Sequence, residues 1–178
     1  MKTLIAITIL ALVAMATPLN ATSTSQANDP IESIRQQYAN INQNVARYRR
    51  VKKELSGFSP EGGELVAYFH GPSVMKMVAM FLGETGRTVE EHYYWNGKLI
   101  FVLSTDNRYD KPFGKVVRKN ETRLYFKDDK LIRWIGEDGK ENRSDSPEYA
   151  TKQVDYLKLS KALVDGAKSK SRTIESPD

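Results

Sequence analysis

Cysteine is missing from the chain altogether, and histidine occurs only at His70 and His92. The first absence excludes disulfides, thiolate metal centres and a cysteine nucleophile. With two histidines, a zinc or iron site would have to be built largely from carboxylates. Glycine-rich phosphate loops are absent too. The one glycine cluster, GFSPEGG at residues 57–63, is not followed by a phosphate-binding helix, and no Gly-x-Ser-x-Gly or His-Glu-x-x-His stretch occurs. Nothing in the composition therefore calls for a cofactor or a metal.

Long apolar runs are also scarce, the exception being Leu4 to Met15. That run is shorter than the roughly 20 residues that span a bilayer. With Lys2 before it and small and polar residues after it, it reads as a secretory signal peptide cut between residues 16 and 27. The expected setting is the periplasm or exterior of a bacterium. The organisation read from the sequence is a leader over residues 1–27, a single domain over 28–168 and a disordered tail over 169–178. A net charge of +5 in 178 residues, with acids and bases intermixed, does not suggest nucleic acid. No stable membrane span is expected once the leader is gone.

What the sequence does contain is punctuation. Asp29 before Pro30, with Glu32 following, marks a helix start. Ile31, Ile34, Tyr38, Ile41, Val45 and Tyr48 then recur at steps of three and four, predicting one long helix that runs to about Leu55 and ends in the basic cluster RYRRVKKE. From Glu64 to Ile135 the chain becomes rich in Val, Ile, Tyr, Phe and Trp between turn residues, which predicts three hairpins. Two of them, HYYWNGKLIF and LYFKDDKLIR, superpose at a constant offset. Tyr93, Tyr94, Lys98, Leu99 and Ile100 recur as Tyr125, Phe126, Lys130, Leu131 and Ile132. AYFHGPSVMK is a fainter third copy. Ser146 followed by Pro147 starts a second helix, whose apolar face ends near Gly166. The expected fold is α+β: a six-stranded antiparallel meander flanked by a long N-terminal helix and a C-terminal helix.

The stretch YYWNGKL resembles the hairpin unit of MORN-type repeats over these two short segments. The resemblance implies a hairpin there and no particular activity.

Strict alternation around Asn96-Gly97 would place Tyr94, Leu99 and Phe101 on one face, with both helices covering it, and Tyr93 on the other. On that second face Tyr68, Tyr93, Trp95, Tyr125 and Trp134, rimmed by Lys98 and Arg123, make a candidate ligand surface. The function this suggests is a non-catalytic binding or interaction module for a protein or small-molecule ligand of the cell envelope, monomeric or weakly dimeric. The alternative is a small hydrolase using paired carboxylates, drawn from Glu61 and Glu64, Glu84 with Glu90 and Glu91, or Asp106 and Asp110. The two histidines are expected on opposite faces.

Overall fold

A computed structural model describes residues 29–177, and the expected leader lies outside them. The first helix, α1 (Pro30–Asn44), starts where the sequence indicates, with the Asp29 carboxylate accepting the Ile31 amide at 2.9 Å. It stops eleven residues short of Leu55. Asn40, Asn42 and Asn44 are poor helix formers, and after a single tight turn at 45–47 the basic cluster becomes a strand, β1 (Arg49–Ser56). In β1 the alternation of Val51, Lys53 and Leu55 with Arg50, Lys52 and Glu54 has the two-residue period of a sheet.

The meander follows as β2 (Gly63–His70), β3 (Ser73–Gly83), β4 (Gly86–Trp95), β5 (Lys98–Tyr109), β6 (Val116–Lys127) and β7 (Lys130–Ile135). The second helix, α2 (Pro147–Lys168), leads to a short strand, β8 (Thr173–Glu175), within the stretch expected to be disordered. Among the described residues the sheet thus has 8 strands in the order β7-β6-β5-β4-β3-β2-β1-β8. It is mixed, because β8 joins β1 in parallel. The six expected strands are all present, and β1 and β8 extend their edge.

Each of the three repeated hairpins carries the same irregularity. Tyr94 opposes Leu99 but Tyr93 opposes Phe101, so Ile100 is an extra residue. Met75 is extra in the same way between the partners of Tyr68 and Phe69, and Ile132 between those of Tyr125 and Phe126. A bulge of this kind reverses the parity of everything beyond it. Phe101 therefore moves to the Tyr93 face, and Trp134, opposite Leu124, moves away from Tyr125. These shifts correct the expected face assignment. The turns themselves match, with positive φ at Asn96 and Gly97 (50° and 76°) and at Asp128 and Asp129 (50° and 62°), the pattern of type I′ loops.

The two helices were expected on one face and lie on opposite ones. Ile31, Ile34 and Ile41 of α1 pack on Tyr93, Phe101 and Tyr125. Tyr149, Leu163 and Ala167 of α2 pack on the other side with Leu65, Phe69, Leu99, Leu124 and Phe126. At 22 residues, α2 is about 33 Å long, close to the roughly 33 Å that separate the two edges of eight strands. It crosses the sheet from end to end. Near its start the Gln153 amide oxygen accepts the Leu131 amide of edge strand β7 at 2.8 Å. Midway Tyr94 and Ser160 share a 2.8 Å hydrogen bond. At its end Gly166 lies against Ile174 of β8, where a Cβ would come within 2.6 Å of the isoleucine side chain. There the buried Lys53 ammonium donates to the Ser169 and Ser171 carbonyls, meeting the negative end of the helix dipole.

Candidate ligand-binding site

Several clefts lie along α1, and a further one, of about 450 Å³, opens on the other face between Trp134 and Pro147, Thr151 and Lys152 at the start of α2. The floor under α1 is aromatic: Tyr38 of the helix sits 4.8 Å from Tyr93 and 5.5 Å, edge-on, from Phe101, which in turn sits 4.9 Å from Tyr125. A polar knot fixes the later part of α1 to this floor. The Asn42 side-chain oxygen accepts from Lys76 Nζ at 3.0 Å and from the Tyr93 hydroxyl at 3.2 Å. Glu91 accepts from the same two donors at 2.6 Å each. Burial opposes the charge on Glu91, but the Lys76 and Tyr93 hydrogen bonds outweigh it and hold its carboxyl below the usual range. Burial first, and then Glu91, push the Tyr93 phenol far up, so it remains a hydrogen-bond donor.

Because α1 touches the sheet through β4, β5 and β6 only near one end of the strands, clefts remain along it. One, of about 430 Å³, lies between Ser33, Ile34 and Gln37 of the helix and Trp95, Lys98, Ile100 and Lys127 of the hairpin ends. A second, of about 350 Å³, lies between Ile34, Arg35 and Tyr38 and the strand residues Phe101, Leu103, Glu121, Arg123 and Tyr125. Ile34 separates the two. A third, of about 380 Å³, brings Asn44 and Tyr48 against His70, Met75 and Trp95. Volumes in this range suit small ligands or a few side chains of a partner.

Of the residues nominated from sequence, Trp95 and Lys98 line the first cleft and Arg123 and Tyr125 the second. Tyr93 is fully buried under Tyr38 and Asn42 and Tyr125 nearly so, which makes them floor rather than open surface. Arg123 is paired with Glu121 at 2.8 Å, and Lys98 with Asp129 at 2.9 Å. Tyr68 lies further out, half-buried, with the Arg50 guanidinium 5.8 Å from its ring centre. Trp134 does not join the others. Its ring lies 6.1 Å from Tyr149 of α2, on the opposite face. Tyr38, Arg35 and Asn42 belong to the site and were not read as such, since a tyrosine on a helical stripe reads as core and an asparagine as wet, while Glu91, considered only as a catalytic carboxylate, serves here as a hydrogen-bond acceptor.

The α2 face holds a different polar group, buried beneath the helix. Glu90 accepts from Tyr156 at 2.9 Å and from Ser104 at 3.3 Å, and its other oxygen is 3.0 Å from His92 Nε2. Ser104 is hydrogen-bonded to the carboxylate rather than to the imidazole, so the nucleophile-to-base contact of a hydrolytic triad is not made there. His70 faces the α1 side, 6.0 Å from Tyr48, so the histidines do part to opposite faces. Several of the carboxylates considered as pairs are engaged by other partners. Glu90 and Glu91 leave β4 on opposite faces, Glu64 pairs with Lys52 at 2.7 Å, and Asp110 accepts the Lys115 amide at 2.9 Å. Among the described residues there is no group of three or more His, Asp or Glu side chains able to hold a metal ion, and no helix long and apolar enough to cross a membrane.

Compared with protein-family models, curated proteins and solved structures, the chain matches none.

Proposed function

We propose that the chain is a non-catalytic binding module of the bacterial envelope, periplasmic or secreted, that takes its ligand along α1. The observation that carries this reading is the placement of α1. It lies on an aromatic floor but covers only part of it, leaving clefts with apolar bottoms and charged rims on both sides of Ile34. Concave sites with an apolar lining and a few directed polar groups are the usual form of a ligand pocket. The rims carry Lys98 and Lys127 on one side and Arg35, Arg123 and Glu121 on the other. An amphiphilic ligand with an apolar body and an anionic group fits both. The hydrolase alternative has less support, because Glu90 and Glu91 diverge and the buried Glu90 is engaged by three partners.

Native mass spectrometry of the chain freed of residues 1–27, after incubation with envelope extract, tests the reading. Trp95→Ala and Arg123→Glu should each reduce the bound species while leaving the thermal midpoint in place. A species retained by both variants would place the site elsewhere, and the absence of any bound species would remove the support for a ligand.

A further inference from the structure

The end of the sheet away from α1 carries a feature that the binding reading does not use. Residues 110–115 join β5 to β6, and Phe113, Val116 and Val117 there are 69%, 44% and 65% exposed. This turn is well built. Asp110 and Lys115 are tied twice, by the Asp110 amide to the Lys115 carbonyl and by the Lys115 amide to the Asp110 carboxylate, each at 2.9 Å. The Gly114 amide closes on the Lys111 carbonyl at 2.9 Å, and the Phe113 amide donates to the Glu84 carbonyl of the adjacent β3–β4 turn at 2.8 Å.

Within the Lys111-to-Gly114 turn, Pro112 and Phe113 are the central pair, and Phe113 has φ of +54°. A positive φ at the second central position is the mark of a type II turn, where glycine is the residue without steric cost. Here a large aromatic occupies it, pointing into solvent, although glycine stands one position later. Neither packing nor backbone preference accounts for that choice, and an exposed aromatic held by a defined loop points to a contact outside the chain.

Basic residues flank the turn along the chain. Lys111, Lys115 and Arg118 lie on the turn and the start of β6, and Arg87 follows the adjacent β3–β4 turn. None of the four has an ion pair among the described residues. Against them stand Glu84 and Asp110, and the Asp110 carboxylate is turned back onto the Lys115 amide. Lys119 and Arg108 are neutralised by Glu121 and Asp106 at 2.8 Å each.

We propose that this turn is a peripheral foot for an anionic bilayer surface, with Phe113 and Val117 entering the headgroup layer while Lys111, Lys115 and Arg118 meet lipid phosphates. A convex tip of a few residues cannot supply the roughly 800 Å² per partner of a stable protein interface. A bilayer needs only an aromatic wedge with cations beside it. The arrangement would hold the α1 clefts at the far end of the sheet, directed away from the membrane.

Vesicle co-sedimentation tests it on the chain freed of residues 1–27, whose own apolar run would partition into lipid. Binding should appear with phosphatidylcholine vesicles containing phosphatidylglycerol, fall with added salt, and be much weaker with phosphatidylcholine alone. Phe113→Gly keeps the turn hydrogen bonds and relieves the positive φ, so it should lower vesicle affinity severalfold while the thermal midpoint holds or rises. K111E with K115E should lower it by at least about tenfold, taking roughly fivefold for each cation near the surface. Failure to sediment with the phosphatidylglycerol vesicles at low salt would overturn the proposal. So would affinity that survives both variants. Capture of an acidic protein that depends on Phe113, without vesicle binding, would assign the foot to a protein partner instead.

Discussion

The two faces of this sheet are built to different rules. On the α2 side the helix runs from one edge of the sheet to the other over a large core of mixed aliphatic and aromatic residues, with buried polar contacts at Lys53, at Tyr94 and Ser160, and around Glu90. On the α1 side the helix is 15 residues long, the floor is aromatic, and the polar groups that fix it, Lys76 and Glu91, keep partial access to water. Closure on one side supplies the stability that lets the other remain incomplete. Even the longer helix leaves an opening, between Trp134 and its own first turns, but that opening has no aromatic floor of the kind that lies under α1.

The contrast should show first in truncations. Phe126→Ala on the closed face should cost about 3 to 5 kcal/mol in chemical unfolding, and Ile41→Ala, the deepest residue of α1, about 2 to 5 kcal/mol, falling lower if the helix can settle into the space. A negligible loss for Ile41→Ala would mean that α1 is not docked and that the clefts along it do not exist. Next in size is Gly166→Ala, where the added methyl meets Ile174. Overpacking should cost about 1 to 3 kcal/mol despite the better helix propensity of alanine. A stabilised variant would show that β8 does not rest on α2.

Acid separates the faces in another way. Burial opposes ionisation of Glu90, yet the hydrogen bond and charge of His92, with the bonds from Tyr156 and Ser104, hold its carboxyl below the usual range. A depressed pKa in the folded state contributes stability that is complete above the unfolded value and is lost as pH falls through the folded one. The protein should therefore weaken as pH drops below roughly 4.3, and Glu90→Gln should flatten that part of the profile while being less stable at neutral pH. Glu91→Gln should change the slope in the same direction but less, because its ion pair with Lys76 is partly solvated. Equal slopes for the two variants would contradict the difference between the faces.

The smallest effects belong to the tryptophans. Trp134 Nε1 is buried without a hydrogen-bond partner, so Trp134→Phe should be close to neutral or slightly stabilising. Trp95→Ala should stay within about 1 kcal/mol and remove the emission component that acrylamide quenches more readily. If Trp95 were the shielded ring, the first and third clefts would be closed.

Much of this architecture is legible in the residues themselves. Asp29-Pro30 and Ser146-Pro147 mark both helix starts, and Asn96-Gly97 and Asp128-Asp129 mark two of the hairpin turns. The faces were not legible by alternation, because a bulge leaves no glycine or proline to signal it. Its trace is subtler: Leu99-Ile100-Phe101 is a run of large apolar residues that a two-residue period cannot place, and Val74-Met75 and Leu131-Ile132 begin in the same way. The third copy of the hairpin, faint in sequence, carries the bulge at the equivalent position. The end of α1 was hidden because Val45 and Tyr48 extend the helical stripe, and only the asparagines oppose it. Of the candidate site, the aromatic floor and the Lys98 and Arg123 rim could be read, whereas the coverage by α1 depends on tertiary placement.

The adjacent residues Tyr93 and Tyr94 carry the division of the sheet, since one serves α1 through Asn42 and the other serves α2 through Ser160. A pair of double-mutant cycles tests this directly. Tyr94→Phe and Ser160→Ala should couple by about 0.5 to 1.5 kcal/mol, whereas Tyr93→Phe and Ser160→Ala should add within roughly 0.5 kcal/mol. Additivity in the first cycle, or coupling in the second, would contradict the assignment of the two helices to opposite faces.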